Sequence, residues 1–233
     1  MPVDWVVIGL DNGGTTNNGT ILDSSGRFLL DQMAEVPSDV REGPDKAIQS
    51  LVVSVEQVLG LTGVPITAVR AVGLDTPGPA SGDGVISSKG ATNFGHVGWR
   101  GFDIRGALAE RLGLPVIYNN DGNSAALYAH HVRFGAESGR RSSVAAIVGT
   151  GLGGGVVEAA PHFRDWFFAE VRAHTVLREE QARAAEISLV PDLDMAGARG
   201  SAVAARDWLI RQEHRIKTAG LLSLSWRDHH DYS

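Results

Sequence analysis

The segment Val6 to Asp23, VVIGLDNGGTTNNGTILD, constrains this chain more than any other. An apolar run ends on a carboxylate, Asp11, and turns through Gly13 and Gly14 into the paired hydroxyls Thr15 and Thr16. A second β-prone run, Gly19 to Leu22, leads back, so the segment carries the signals of a hairpin with a glycine-rich turn. Glycine lets backbone approach a ligand closely, and successive N–H groups in such a turn make an anion-binding concavity. On that reading the threonines add hydroxyl donors and Asp11 holds Mg²⁺ or its water shell. The segment alone fits equally an ordinary hairpin whose Asn and Gly residues only turn the chain.

Composition narrows the class. A chain of 233 residues with 43% hydrophobic and 21% charged residues can bury one large core or two modest ones. Its net charge of −6 and lack of a clustered basic surface argue against a nucleic-acid partner. No apolar run reaches the ~18 residues of a membrane span, and the N-terminus has no secretion-signal pattern, so a cytoplasmic location is expected. With no cysteine there is no disulfide and no thiolate zinc site. The 29 glycines sit in clusters beside apolar runs, which marks them as positional.

Taken in order, Trp5 to Leu10, Gly19 to Leu22 and Arg27 to Ala34 read as three strands of an antiparallel meander. A helix opens at Pro44 and closes near Gly60, with Ile48, Leu51, Val52, Val55, Val58 and Leu59 at helical spacing. Val69 to Leu74 is a short buried strand, and the long loop after Asp75 holds a short strand at Val85-Ile86. Asp103 caps a helix from Ile104 to Leu112 that Gly113 ends. Val116 to Tyr118 is a strand, and a helix runs from Ser124 to Phe134. The order is βββαβαβα. After a linker, Ser143 to Val148 begins a new unit that runs into GTGLGGG. A long helix from Pro161 towards Ala184, a strand Glu186 to Val190 and a small-residue helix Gly197 to Ile210 complete it. The expected division is an N-terminal lobe over 1–135, a reduced second lobe with a closing helix over 136–212, and an irregular tail over 213–233.

GTGLGGG repeats the logic of the first turn, and two such turns suggest a nucleotide clamped between two lobes. No Gly-Lys-Ser/Thr follows, so it is not a P-loop, and a lone Gly149-x-Gly151-x-x-Gly154 match is weak support for a dinucleotide fold. The triplet also fits a flexible link. Asp121 stands where a buried strand meets a helix, the end of the strand at which open sheets bind ligands. A carboxylate there can act as a general base towards a sugar hydroxyl, or simply cap the helix. Asn93, Asn120 and Asn123 offer the paired donors and acceptors a polyol needs. His96, His130 and His131 read as surface or loop residues, Trp99 as packing under the long loop, and Asp192 and Asp194 as capping groups for the last helix.

With these pieces in place the chain resembles the ROK family of sugar kinases and sugar-responsive repressors, within the actin-like ATPase clan. The matching segments are LDNGGTTNNGTILD, LDTPGPA, TNFGHVGWRGFDIRGALAERLGLPV, NNDGNSAALY and GTGLGGG, spread over residues 5 to 158. The resemblance implies an α/β, two-lobed, ribonuclease H-like fold and an ATP-dependent hexose kinase, glucose being the leading substrate. It makes Asp121 the catalytic base and gives sugar hydroxyls to Asn93 and Asn120. It places the ATP phosphates between Asp11, Gly13, Gly14, Thr15 and Thr16 on one side and Gly149, Thr150 and Gly151 on the other, with Mg²⁺ at Asp11. The family's repressors carry a helix-turn-helix ahead of this domain, whereas here the first strand comes at once, which favours a kinase.

The departures lie after the second turn. The family's Gly-Glu-x-Gly-His motif and cysteine-rich zinc loop are absent, and GGGVVEAAPHFRDWFF follows GTGL directly. One glycine triplet then serves as two family motifs, as an in-frame loss between similar stretches would leave it. Residues 161 to 210 resemble the family's closing elements, with MAGARGSAVAA as the final helix. The second reading is accordingly a shortened relative that binds sugar or nucleotide without turnover, or serves in regulation. Exposed apolar surface on the reduced lobe predicts aggregation or a homo-oligomer.

Overall fold

The computed structural model describes residues 5–77, 80–87, 93–148, 152–157 and 193–227. Five strands form one sheet in the order β3-β2-β1-β4-β5: β1 (Val6–Asn12), β2 (Thr16–Asp23), β3 (Ala34–Pro37), β4 (Val69–Thr76) and β5 (Val116–Asn120). β1, β2 and β3 are an antiparallel meander, while β4 and β5 run parallel to β1. The crossovers are α1 (Pro44–Thr62) and α2 (Ile104–Leu112), and α3 (Asp121–Phe134) leaves β5 without an intervening loop. The expected βββαβαβα order is the order observed.

Alternation along β1 assigns the faces. Val6, Ile8 and Leu10 enter a core built with Leu51, Val55 and Val58 of α1 and with Ile104 and Leu108 of α2. Each such buried aliphatic contributes about 1.5–3 kcal/mol relative to exposure. Val7, Ala71 and Leu22 face the other way and meet Ala202, Val203 and Ala205 of α4 (Ala196–Arg227). This helix comes from the far end of the chain and covers the second face of the N-terminal sheet, lying against β1, β2, β4, β5 and α3.

It approaches closely because glycine stands where it crosses β1, β4 and α3. A Cβ on Gly9 would fall 2.0 Å from the Ala198 carbonyl oxygen, one on Gly73 1.9 Å from that of Ser201, and one on Gly200 1.7 Å from that of Ser124 in α3. Arg199 is buried between the rings of Phe28 and Tyr128, 4.9 and 5.4 Å from their centroids, and Nη1 donates to the Tyr128 hydroxyl at 2.6 Å.

Beyond α3, β6 (Ser143–Val148) and β7 (Leu152–Val157) form a two-stranded antiparallel hairpin that packs on α3, with Gly155 against Ala126. The expected turns Gly149 to Gly151, helix 161–184 and strand 186–190 lie outside the described residues.

Several boundaries differ from expectation. The third strand is Ala34–Pro37, not Arg27 to Ala34. The Asp23 carboxylate accepts from the Ser25 hydroxyl at 2.5 Å and the Arg27 N–H at 2.9 Å, so residues 24–27 turn instead of extending. Phe28 keeps one isolated bridge to Leu22. α1 passes through Gly60 and stops at Gly63, whose φ of 68° permits the cap bond from its N–H to Leu59 O. Val85 and Ile86 make isolated bridges to Asp103 and Ala80 instead of a strand.

Gly153 to Gly155 are inside β7, paired with Ala145 to Ile147, so the triplet is strand and not turn or link. α4 runs to Arg227 where an irregular tail was expected from residue 213, consistent with a stretch rich in Arg, Gln, Glu, Lys and Leu and free of proline. His130 is buried, not on the surface: Nδ1 meets Ser143 Oγ at 2.7 Å and Nε2 meets Ser138 O at 2.9 Å. Trp99 does pack as expected, buried between Phe94 and Phe102 with its indole N–H donating to Val40 O at 2.8 Å.

Candidate active site

Three adjacent parallel strands deliver polar residues to one edge. β1 ends in Asp11-Asn12, β4 in Asp75-Thr76 and β5 in Asn119-Asn120, and the register pairs Asp11 with Asp75, Asp75 with Asn119, and Thr76 with Asn120. Asp121 begins α3 at the same edge. The carboxyl ends of parallel strands are where open α/β sheets bind ligands, because the loops there diverge and the helices that follow point their N-termini inward. α3 starts here, and α4 brings its first turn to Asp11: a Cβ on Gly197 would lie 2.7 Å from Asp11 Oδ2.

The turn between β1 and β2 is tight. Gly13 N–H donates to Thr16 O at 3.0 Å, Ser38 N–H donates to Thr15 O at 3.0 Å, and the hydroxyls of Thr15 and Thr16 are 3.4 Å apart, with Thr15 exposed. The asparagines that flank it are buried pins. Asn12 Nδ2 donates to Asn17 Oδ1 at 2.5 Å, Asn17 Nδ2 to Ser50 Oγ at 2.9 Å, and Ser50 Oγ to Pro37 O. The chain of bonds ties the hairpin to α1 and β3, and leaves the turn's exposed side to Gly13, Gly14, Thr15 and Thr16.

The electrostatics centre on Asp11 and Asp75. Asp75 is fully buried, with Oδ2 accepting from Ser201 Oγ at 2.8 Å, and Ser201 Oγ is in turn 3.0 Å from Ser124 Oγ. Burial, and then the neighbouring Asp11, push its carboxyl well above the ordinary range. Asp11 is half-buried; burial raises it too, opposed by hydrogen bonding with Asp75 and by the Asn18 amide, 3.5 Å from its Oδ2. The charge of Asp121 also raises Asp11, which places the three carboxylates within one another's field.

Asn120 caps α3, its side chain accepting the Gly122 N–H at 3.0 Å, while exposed Asp121 accepts the same N–H through its own Oδ1 at 2.7 Å. Asp121 is therefore the first residue of the helix, three residues ahead of the expected start at Ser124. Asn93 lies against the first turn, its Nδ2 only 2.1 Å from where a Cβ on Gly14 would sit. The structure thus brings together Asp11, Gly13 to Thr16, Asn93, Asn120 and Asp121, while Gly149, Thr150 and Gly151 lie outside the described residues. A cavity of about 910 Å³ between α3, α4 and β7 is lined by Asn119 and Asn123 but by neither Asp121 nor the first turn.

Residues 7–163 match the ROK family. The chain belongs to the ROK family. Over 154 residues it is 32% identical to a glucokinase of Halalkalibacterium halodurans, an alignment that covers 66% of this chain and 44% of that enzyme. The crystal structure of a ROK hexokinase from Thermus thermophilus aligns with a TM-score of 0.54 at 38% identity, covering 66% of this chain and 47% of that one. An inorganic polyphosphate/ATP-glucomannokinase from Arthrobacter sp. strain KM aligns with a TM-score of 0.51 at 29% identity, covering 65% and 58%. The chain spans about half the length of the relatives it matches. The fold is that of an actin-like ATPase, as in these ROK proteins.

Four contributors at this site escape a reading of the sequence motif by motif. Asp75 is visible only once Ile8-Gly9-Leu10-Asp11 and Val72-Gly73-Leu74-Asp75 are set side by side, a near-repeat that the sheet places in register. Ser201 and Gly197 come from 120 or more positions away, and nothing local marks them as neighbours of Asp75 and Asp11. Arg41 sits in an unremarked turn, yet its Nε and Nη2 donate to Asn93 Oδ1 at 3.1 and 2.7 Å. Among the described residues no three carboxylates or histidines form a ready cation cage, and no helix is long and apolar enough to cross a membrane.

Proposed function

We propose that this ROK chain carries the phosphate-gripping and base-bearing half of an ATP-dependent hexose kinase, with glucose as the leading sugar. The observation that carries the reading is the convergence of Asp11, the Gly13–Thr16 turn and Asp121 at the carboxyl ends of β1, β4 and β5. In this reading the turn's N–H groups and threonine hydroxyls hold the phosphates, Asn120 orients the sugar, and Asp121 accepts the proton of the attacking hydroxyl. Gly149, Thr150 and Gly151 would close on the phosphates from the other side. An exposed carboxylate at the start of a helix is accessible to a substrate hydroxyl, as a general base must be.

The donor set also suits Mg²⁺. The Asp11 carboxylate beside a second carboxylate offers hard oxygen ligands, and Mg²⁺ takes one or two of these together with water and substrate phosphates instead of a full protein cage. When bound, the ion supplies neutralisation of phosphate charge. Positioning and charge stabilisation account for most of the catalysis of phosphoryl transfer.

A second reading is favoured by one fact: the matched region spans 44% of the glucokinase from Halalkalibacterium halodurans. A shortened chain can bind ligand without the lobe closure that shields the transferring group from water. A coupled ADP-release assay across glucose, mannose, fructose and N-acetylated hexoses separates the two. Turnover that Asp121→Asn abolishes retains the kinase; a folded, ligand-binding chain with no turnover on any hexose leaves the binding protein.

A further inference from the structure

The first phosphate turn has no cation of its own. No Lys, Arg or His lies between Val6 and Asp23, and Asp11, Asp75 and Asp121 crowd the strand ends beside it. Phosphate oxygens brought to such a place meet like charge unless a positive group accompanies them.

Arg41 is positioned to be that group. It sits exposed in the short 3-10 turn Val40–Glu42, and that turn is firmly held. Val40 is buried and its carbonyl accepts the Trp99 indole N–H, while Ser38 N–H donates to Thr15 O, stitching this segment to the phosphate turn itself. Among the described residues no carboxylate pairs with Arg41. Its guanidinium forks instead onto Asn93 Oδ1.

That fork decides how Asn93 points. A guanidinium has only donors, so Asn93 must present its carbonyl oxygen to Arg41, and its amide nitrogen is turned towards Gly14. The residue holds a left-handed backbone, φ 78°, a conformation asparagine tolerates better than most non-glycine residues. With its acceptor occupied, Asn93 faces the turn as a donor. A donor suits a phosphate oxygen, which only accepts, better than it suits the paired give-and-take of a sugar hydroxyl.

We propose that Arg41 and Asn93 form a donor clamp for the oxyanions of a phosphate chain at the Gly13–Thr16 turn, Arg41 supplying the charge and Asn93 the directed N–H. This rests on the phosphate reading of that turn and deepens it, moving Asn93 from the sugar to the phosphate side. Neither residue reads the nucleoside, so ATP and an inorganic polyphosphate are gripped alike.

Calorimetric titration of the full chain with Mg²⁺-ATP and with Mg²⁺-tripolyphosphate, for the wild type, Arg41→Gln and Arg41→Lys, tests the clamp. Arg41→Gln should weaken both ligands about tenfold or more, the scale of one lost charge-assisted hydrogen bond. Arg41→Lys should fall between, since it restores charge without the planar fork. Arg41 is exposed, so the melting temperature of both variants should hold within about 2 °C. Wild-type affinity for both ligands in Arg41→Gln overturns the clamp and leaves the phosphate turn standing. Loss for ATP with tripolyphosphate unchanged also overturns it, because the effect would then lie with the nucleoside. No binding of either ligand by the wild type overturns the clamp and the phosphate reading together.

Discussion

Asp11 and Asp75 face each other across two parallel strands, each closing a Gly-Leu-Asp run, in a register that also pairs Gly9 with Gly73 and Leu10 with Leu74. The leucines enter the α1–α2 core, the glycines receive α4, and the aspartates meet where the strands end. One repeated tripeptide thus serves core, helix packing and site at successive positions, because successive side chains in a strand take opposite faces.

The pair sets a pH dependence. Asp75 holds its proton more tightly in the native state than in the unfolded chain, chiefly through burial. Stability from this group is therefore fully present below the ordinary Asp value of about 4 and is lost as pH rises through the raised native value. Asp75→Asn keeps an acceptor for Ser201 and removes the buried charge. It should raise stability at pH 7 by about 1–3 kcal/mol and flatten the decline between pH 4 and 7. Thermal melts of both proteins across that range, without Mg²⁺ or nucleotide, check this; an unchanged slope contradicts it.

The α4 contact makes two glycines behave oppositely. Gly73→Ala drives a methyl into the Ser201 carbonyl, 1.9 Å from the ideal Cβ, so helix and sheet must part, at about 3 kcal/mol or more. Gly60 is exposed within α1 with nothing inside 4 Å, and Gly60→Ala should stabilise by about 0.5–1 kcal/mol. Urea midpoints of the two variants should move in opposite directions.

Trp99→Phe removes the indole donor to Val40 O, leaving that carbonyl only the longer 3.4 Å bond from Gly43 N–H, and trims the ring packed between Phe94 and Phe102. The expected loss is about 2–3 kcal/mol. Hydrogen exchange should quicken around residues 38–42 more than in β4, and the phosphate affinity assigned to Arg41 should fall with it. An unaltered exchange pattern would show that the indole N–H does not hold this turn.

His130→Phe keeps a ring in place but removes the ring-nitrogen bonds to Ser143 Oγ and to Ser138 O, the latter keeping only the Arg141 N–H at 3.2 Å. A cost of about 1–3 kcal/mol follows. Because the Ser143 bond links α3 to β6, amide exchange should rise in β6 and β7 while β1 and β4 stay protected. Uniform loss of protection across both sheets would mean that the two do not separate.

Much was legible in advance, for local reasons. The Val6–Asp23 hairpin, α1 from Pro44, α2 between Asp103 and Gly113, and the βββαβαβα order follow from apolar periodicity, caps and turns acting over a few residues. Boundaries failed where a local signal had a stronger rival. Gly60 lost to Gly63 because only the latter takes the left-handed cap, and the third strand moved to Ala34–Pro37 because Asp23 captured the turn before it.

The site divides in the same way. The sequence by itself determined the hairpin, its turn and the position of Asp121 at a strand-to-helix junction, since each depends on neighbours within a few residues. Only the tertiary structure decided that Asp75 stands beside Asp11, that Arg41 reaches Asn93, and that a helix beginning at Ala196 closes the first sheet. Those contacts join residues tens to nearly two hundred positions apart. Strand register and the close approach permitted by Gly9, Gly73 and Gly200 bring them together, and neither leaves a local mark in the chain.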